Sequence, residues 1–230
     1  MPPKPAVATS TLAPAGPPVG DTSGMPWLGA SQQLPRRPCR VVVAGTSGSG
    51  KTTLARRIAA ELGTDHFELD ALHHGPKWSV RPDFVPDVRR WAAMPAWVTE
   101  WQYDEVRPLL TARADLVVWL DLPLWLVMSR VIRRTVRRAV RREILWNGNV
   151  EPPLSDVLRD RDHIVRWVWR THREVARQVR RLAVSQPGLD VVQLRSPQEV
   201  ARWLRGPLHR LSQIGGNRMN LPPIHWEIQP

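Results

Sequence analysis

Several residue types that define common protein classes are scarce in this chain of 230 residues. Cys39 is the single cysteine, so no intramolecular disulfide can form, which excludes the class of small disulfide-stabilised secreted domains. Long apolar runs are also lacking, since the longest, Leu116 to Met128, is interrupted by Asp121 and Pro123 and is too short to span a bilayer. The first residues contain no apolar run of the kind found in signal peptides. We therefore expect a soluble, cytoplasmic protein.

Lysine is rare as well. Lysine and arginine together number 33, acidic residues number 21, and the net charge is +12. Lys4, Lys51 and Lys77 are the only lysines, so arginine carries almost all of the positive charge. This excess predicts an anionic partner, but charge alone does not distinguish nucleic acid, a nucleotide and an acidic lipid.

The distribution of proline and glycine divides the chain into three parts. Residues 1–38 contain nine prolines and no periodic apolar pattern, which predicts a disordered tail. Residues 206–230 contain Gly-Gly and Pro-Pro pairs and are predicted to be disordered or loosely docked. Between these tails, residues 39–205 alternate short apolar runs with helical patterns, which indicates one α/β domain with a parallel sheet. The predicted strands are Arg40–Ala44, Phe67–Asp70, Ala96–Glu100, Leu116–Leu120 and Asp190–Leu194.

The strongest motif is the segment from Gly45 to Thr52, which fits the phosphate-binding pattern G-x-x-x-x-G-K-[ST] at every position. A β-branched run precedes it and a helical pattern follows, as this motif requires. Glycines let backbone N–H groups turn toward phosphates, and the helix end adds its positive dipole. Lys51 would neutralise the β- and γ-phosphates of ATP, and the Thr52 hydroxyl would bind Mg²⁺. The candidate ATP-binding residues are Gly45, Thr46, Ser47, Gly48, Ser49, Gly50, Lys51, Thr52 and Thr53.

Three acidic residues stand at the ends of predicted strands, where ligands bind in open α/β sheets. Glu100 and Asp121 are both candidates for the magnesium site. Asp121 is equally suited to capping the helix that begins near Pro123, whereas Glu100 has no such role and is slightly favoured. Asp70 would either accept the proton of an acceptor hydroxyl as a general base or simply form a turn.

From about Cys39 to Leu204 the chain resembles the small P-loop kinases, the group of adenylate kinase and shikimate kinase. Within that group it is similar to proteins described as DNA topology modulation or adenylate-kinase-like proteins. Besides the phosphate loop, the resemblance is carried by Glu68-Leu69-Asp70-Ala71-Leu72 followed by Trp78, by Trp97-Val98-Thr99-Glu100-Trp101-Gln102-Tyr103, and by Leu120-Asp121-Leu122-Pro123. The third strand of most relatives ends in a run like Asp-Gly-Asn-Tyr. This chain keeps the acid and the tyrosine there but not the glycine.

The resemblance implies a three-layer P-loop NTPase fold with five parallel strands in the order 2-3-1-4-5. It also implies roles for two arginines that follow Pro123 at the spacing of adenylate kinases, with Arg130 against the adenine and Arg134 on the phosphates. Both would join Lys51 and Asp70 as catalytic residues, because phosphoryl transfer depends on positioning and positive charge. An arginine-rich helical lid is expected at about 143–155, and lids that close over ATP exclude water.

Seven arginines recur at intervals of three and four residues in the helix predicted after the fourth strand, which places them on one helical face. They are Arg130, Arg133, Arg134, Arg137, Arg138, Arg141 and Arg142. The last four would either form a solvated basic face or bind an anion, because like charges repel each other. The phosphate backbone of DNA or RNA is one such anion. Non-specific nucleic-acid binding through the Arg133–Arg142 face is therefore an alternative partner hypothesis.

The predicted function is that of an ATP-dependent kinase, which moves the γ-phosphoryl group of ATP to a small-molecule acceptor with the help of Mg²⁺. A nucleotide or nucleoside is among the candidate acceptors, and the acceptor would lie between Asp70, residues 73–81 and Glu100. The alternative function is that of a nucleic-acid-binding P-loop NTPase in which hydrolysis is slow or incidental. Neither hypothesis includes insertion into a membrane.

Overall fold

A computed structural model describes residues 27–141, 146–149 and 161–214. The strands in these ranges are β1 (Trp27–Leu28), β2 (Arg40–Gly45), β3 (His66–Phe67), β4 (Trp97–Glu100), β5 (Leu116–Leu120) and β6 (Asp190–Leu194). The helices are α1 (Lys51–Leu62), α2 (Leu69–His73), α3 (Phe84–Ala92), α4 (Arg107–Arg113), α5 (Leu124–Arg141), α6 (Arg161–Ser185), α7 (Pro197–Trp203) and α8 (His209–Ile214). No helix of the described ranges has the length and apolar character needed to cross a bilayer.

The strands form one parallel sheet in the order β1-β6-β5-β2-β4-β3. At its centre, β2 pairs with both β4 and β5, so that Val43 lies opposite Glu100 on one side and Val118 on the other. The five predicted strands therefore occur in the predicted order 2-3-1-4-5. The predicted count is wrong, because β1 pairs with β6 and adds a sixth strand at the edge.

Helices cover both faces of the sheet, because successive side chains of a strand point to opposite faces. On one face Val43 lies in a buried cluster with Ile58 of α1 and Val127 of α5. On the other face Val42 lies in a second cluster that includes Val179 of α6. This arrangement confirms the predicted three-layer α/β architecture, and it explains why strands such as β5 are apolar along their whole length.

Parts of both segments predicted as tails belong to the folded domain. In the first tail, β1 joins the sheet and Leu34 is buried, so the predicted boundary at residue 38 is wrong for residues 27–38. In the second tail, Leu208 is buried, and Glu61 of α1 accepts hydrogen bonds from His209 and Ser212 of α8. The two tails were predicted from their proline and glycine content. Composition does not show whether a very short strand or helix within such a segment packs against the rest of the domain. Residues 1–26 and 215–230 lie outside the described residues.

The second predicted strand, Phe67–Asp70, is wrong in its second half. This segment pairs with β4 only through His66 and Phe67 and then turns into α2. The fully buried side chain of Leu69, whose N–H lies 3.4 Å from Glu100 Oε2, holds this turn in place. Asp70 therefore lies in the first turn of a helix and not at the end of a strand.

Candidate active site

The phosphate loop joins β2 to α1 and depends on glycine for its backbone conformation. Gly48 and Gly50 have φ angles of 81° and 95°, which residues with a Cβ atom adopt only with strain. A Cβ atom at Gly48 would also lie 2.5 Å from Val131 Cγ2 and 3.1 Å from the carbonyl oxygen of Val127, both in α5. The glycines thus shape the loop and let α5 pack directly against it.

Lys51 occupies the first position of α1 and is half-buried. Its Nζ donates a hydrogen bond to the Thr46 carbonyl oxygen at 3.2 Å. Burial lowers the pKa of Lys51 to about 8, although the nearby carboxylates of Asp70 and Glu100 act in the opposite direction. A cation that has lost hydration beside a phosphate loop is well suited to bind phosphate oxygens.

Two arginines of α5 contact the same loop. Arg130 Nη1 donates to the Ser49 carbonyl oxygen at 3.1 Å, and Arg134 Nη2 donates to Ser47 Oγ at 2.9 Å. One turn of helix separates the two residues, so α5 presents both on the same face. The structure therefore brings the two arginines singled out in the sequence to the phosphate loop.

Glu100 ends β4 beside the loop and is fully buried. One carboxylate oxygen lies 3.2 Å from His66 Nε2, and the carboxylate also accepts a hydrogen bond from the Thr52 hydroxyl. Burial alone would raise the pKa of Glu100, but the interactions with His66 and Thr52 outweigh it and hold the pKa below its ordinary value. An ionised carboxylate thus lies directly behind the Thr52 hydroxyl.

The pair formed by Thr52 and Glu100 fits a Mg²⁺ ion. Mg²⁺ prefers oxygen ligands and is usually held by one or two protein groups together with phosphates and water. A hydroxyl at the phosphate loop that is backed by an ionised carboxylate supplies this chemistry. Within the described ranges no cluster of three or more His, Cys, Asp or Glu side chains could enclose a metal.

Asp121, the other candidate for the magnesium site, is engaged at the end of β5. Its Oδ2 accepts a hydrogen bond from Gln193 Nε2 at 2.7 Å, and its N–H donates to the Leu194 carbonyl oxygen at 2.9 Å. It does not line the cavity that contains Lys51. Of the two acids, the structure therefore places Glu100 against Thr52 and ties Asp121 to the neighbouring strand.

Asp70 is held by side chains that follow β4. Gln102 Nε2 and the Tyr103 hydroxyl donate to the same oxygen, Asp70 Oδ1, at 2.7 and 2.6 Å. Tyr103 Oη also lies 3.1 Å from His74 Nε2. Burial and the charge of Asp70 raise the pKa of Tyr103, so its hydroxyl stays protonated and acts as a donor. The φ angle of Tyr103 is 62°, and such strained residues concentrate at functional sites.

A single cavity of about 1030 Å³ joins the phosphate loop, Asp70 and the α5 arginines. The acidic residues in its wall are Glu68 and Asp70, whereas the basic ones are Lys51, Arg56, Arg107, Arg130, Arg134, Arg137 and Arg138. This excess of cations favours a strongly anionic ligand. A second cavity of about 430 Å³ adjoins it, shares Gly48, Gly50 and Arg130, and extends to Pro197.

Some residues at the site carry no sequence signal that points to it. Arg107 of α4 lines the cavity and donates to Gln178 Oε1 of α6 at 3.0 Å. His172 Nδ1, also in α6, lies 3.1 Å from Thr46 Oγ1 of the phosphate loop. Only folding brings these distant segments together. For Gln102, the departure of its segment from the pattern of most relatives is a signal that could have marked it.

The arginines of α5 do not share one environment. Arg137 and Arg138 line the cavity together with Arg130 and Arg134, and Arg137 is also exposed to solvent. Arg133 and Arg141 are exposed and do not line the cavity. The predicted Arg133–Arg142 face is therefore divided, because successive residues of a helix point in different directions. Arg142 lies outside the described residues.

The described part of the predicted lid, residues 146–149, is docked on the loop after α2. Asn149 is buried, and its side chain accepts from the Trp78 N–H and donates to the Gly75 carbonyl oxygen, both at 2.9 Å. Asn147 Nδ2 donates to the carbonyl oxygen of His74. These bonds join residues 146–149 to the same loop that carries His74 into the cavity wall. Most of the predicted lid, residues 143–145 and 150–155, lies outside the described residues.

One protein family matches the central segment of the chain, and solved structures align with most of it at low identity. Residues 41–121 match the family model of the ATPase family associated with various cellular activities (AAA). A solved gluconokinase from Sinorhizobium meliloti 1021 is 21% identical, with 78% of this chain and 94% of that chain covered and a TM-score of 0.42. A shikimate kinase from Bacteroides thetaiotaomicron is 14% identical, with 77% and 98% covered and a TM-score of 0.42. Comparison with curated proteins finds no significant match.

The family match runs from β2 to the residue after β5 and so includes the phosphate loop, the central strands and Glu100. In the structure the phosphate loop joins β2, a central strand of the parallel sheet, to α1. The chain therefore has the P-loop α/β fold that its sequence predicts.

Proposed function

We propose that the chain is an ATP-dependent phosphotransferase that moves the γ-phosphoryl group to a hydroxyl of a small-molecule acceptor. The observation that carries this proposal is the shared cavity, in which Lys51 and the arginines of α5 lie together with Asp70. Phosphoryl transfer requires positive charge around the moving group and a group that accepts the proton of the nucleophile. One cavity offers both.

The triphosphate of ATP would lie on the loop from Gly45 to Thr52. Lys51 and Arg134 would exchange their present hydrogen bonds to Thr46 and Ser47 for stronger, charge-assisted bonds to phosphate oxygens. Arg130 borders both cavities, so the adenine would lie against its guanidinium in the smaller one. This arrangement spreads positive charge along the phosphates and leaves the larger cavity for the acceptor.

Mg²⁺ would be held by the Thr52 hydroxyl at the phosphate loop. When bound, the ion would neutralise charge on the β- and γ-phosphates. Glu100 accepts a hydrogen bond from Thr52 and so fixes the hydroxyl oxygen that would face the ion. Since Glu100 is fully buried and ionised, it also favours a positive charge at this end of the loop.

On the acceptor side, Asp70 would take the proton of the attacking hydroxyl. The acceptor oxygen then bonds to the γ-phosphorus, the bond from that phosphorus to the bridging oxygen breaks, and ADP leaves. Gln102 and Tyr103 bind Oδ1 of Asp70 and so fix the plane of the carboxylate, with Oδ2 as the oxygen that takes the proton. A fixed base lowers the entropic cost of reaching the transition state.

The proposal is tested by measuring ATP consumption across nucleotides, nucleosides and small alcohols. We expect at least one acceptor to stimulate consumption, and we expect Lys51→Ala to lose this activity while its thermal unfolding is unchanged. Arg89→Ala removes an exposed cation of α3 outside the cavity and serves as the matched control. Unchanged turnover in Lys51→Ala would exclude the kinase proposal. ATP consumption without a phosphorylated product, measured by mass spectrometry, would exclude transfer but not nucleotide binding.

A further inference from the structure

Helix α5 has a second apolar side in addition to the one that packs on the core. Trp125, Ile132, Val136 and Val140 are 71%, 51%, 43% and 68% exposed, and we call these four residues the α5 stripe. Their spacing of seven, four and four residues aligns them along one side of the helix. Val127, about half a turn away from this line, is fully buried in the core. The stripe is therefore not needed to hold α5 on the sheet.

Arginines follow one edge of the α5 stripe. Arg133, Arg137 and Arg141 recur every four residues beside it, and the whole of α5 contains no acidic residue. Arg133 and Arg141 are exposed and lie outside the cavity wall. A helix with tryptophan and aliphatic side chains on one side and arginines next to them is typical of helices that lie on anionic membrane surfaces.

We propose that the α5 stripe docks on the surface of a membrane that contains anionic lipids. The apolar side chains would enter the region between headgroups and acyl chains, where tryptophan is favoured, and Arg133 and Arg141 would contact lipid phosphates. Charge complementarity identifies the occupant, because the stripe and the arginines require one partner that is apolar and anionic at the same time. A membrane surface combines these properties over the length of a helix.

Nucleic acid and a second copy of the chain would each match only one of the two features of this surface, either its arginines or its apolar side chains. Nucleic acid would neutralise the arginines, but its phosphate backbone offers nothing to Ile132, Val136 and Val140. A second copy of the chain would cover the apolar side chains but would bring two rows of arginine together, and like charges repel. The proposal does not depend on catalysis, since Arg130 and Arg134 contact the phosphate loop and are not part of the stripe.

The test is sedimentation of the full chain with vesicles of phosphatidylcholine, with and without phosphatidylserine. We expect binding only to vesicles that contain phosphatidylserine, and we expect added salt to weaken it. Trp125→Glu combined with Val140→Glu should reduce the bound fraction about tenfold or more, because charged side chains do not enter the acyl region. The matched control is Val184→Glu on α6, where the valine is 83% exposed and away from the stripe. Arg133→Glu with Arg141→Glu should also lose binding, whereas Arg89→Glu should not.

Thermal unfolding verifies that each variant is folded. If the variant with Trp125→Glu and Val140→Glu does not fold, Ile132→Ser replaces it. Absence of phosphatidylserine-dependent binding, or binding that survives the stripe variants, would overturn the proposal. So would a dimer in lipid-free solution that the stripe variants dissociate, because the occupant would then be a second copy. Binding of DNA or RNA that requires Arg133 and Arg141 but tolerates Trp125→Glu, in the absence of vesicle binding, would assign the surface to nucleic acid.

Discussion

The two walls of the main cavity are built in different ways. The nucleotide wall is built on the continuous loop from Gly45 to Thr52, which α5 contacts through Arg130 and Arg134 and α6 contacts through His172. The acceptor wall is formed by Asp70 in α2 and by Gln102 and Tyr103 after β4, whose side chains bond to Asp70. The first wall is one continuous motif on which helices pack, whereas the second is joined by side-chain hydrogen bonds between separate segments.

This difference reflects what each wall has to bind. Phosphates are bound by consecutive backbone N–H groups at a helix end, which requires a short continuous segment with glycines at fixed positions. An acceptor is recognised by individual side chains, and these can come from any element that reaches the cavity. Mutations in the nucleotide wall should therefore affect every reaction of the protein, and mutations in the acceptor wall should affect transfer more than ATP binding.

After the complete loss expected for Lys51→Ala, the largest effect in this comparison is expected from Arg134→Ala. Arg134 contacts Ser47 of the phosphate loop, and we expect its loss to lower kcat about 10²- to 10³-fold, because a fixed cation stabilises the charge of the transition state. Arg133→Ala is the matched control, since the side chain of Arg133 precedes Arg134 in the chain but is exposed and lies outside the cavity wall. The kcat of both variants is measured by steady-state ATP consumption. Equal losses in the two would show that contact with the loop does not matter for turnover.

A smaller effect is expected from Tyr103→Phe in the acceptor wall. This change removes the hydrogen bond from the hydroxyl to Asp70 Oδ1, and losing one bond to a charged group should lower kcat about tenfold. KM for ATP should stay unchanged, because the Tyr103 hydroxyl bonds to Asp70 and lies beside His74, both on the acceptor side. Initial rates at varied ATP and acceptor concentrations separate the two constants. A loss of ATP affinity of the same size would break the division between the walls.

The smallest effect is expected from pH acting on the nucleotide wall. The pKa of Lys51 is lowered to about 8 by burial, and the ammonium is the form that attracts phosphate. Its charged fraction falls from about nine tenths at pH 7 to about one quarter at pH 8.5, so Kd for ATP should rise about fourfold over this range. Calorimetric titration with ATP measures this Kd at each pH. Lys51→Arg keeps its charge and should bind ATP equally well at both pH values, and a native-like dependence in this variant would assign the titration to another group.

The nucleotide wall could be predicted residue by residue, because its signals are local. The loop from Gly45 to Thr52 is a continuous pattern, and Arg130 and Arg134 are implied by the resemblance to adenylate kinases through their spacing from Pro123. The central strands β2 and β5 were also predictable, since strands buried on both faces form continuous apolar runs. The division of the α5 arginines between cavity and solvent could not be predicted, because it depends on how α5 is rotated against the loop.

The acceptor wall and the edges of the domain depended on contacts that no local pattern encodes. Asp70 was expected at the end of a strand, but burial of Leu69 turns the chain into α2. The choice between Glu100 and Asp121 required their partners, Thr52 in one case and Gln193 in the other. At the domain edge, β1 is held by pairing with β6, and its own two residues carry too little pattern to predict it.

The amino-acid sequence by itself determined the parallel α/β class, the phosphate loop and the excess of arginine, because each follows from residues that are close together along the chain. Only the tertiary structure decided which further arginines line the cavity, which carboxylate supports Thr52 and which side chains hold Asp70. These choices require segments far apart in sequence to be packed at fixed orientations. They also left the α5 stripe exposed, because a helix that covers a sheet buries one side and presents the other to whatever lies outside.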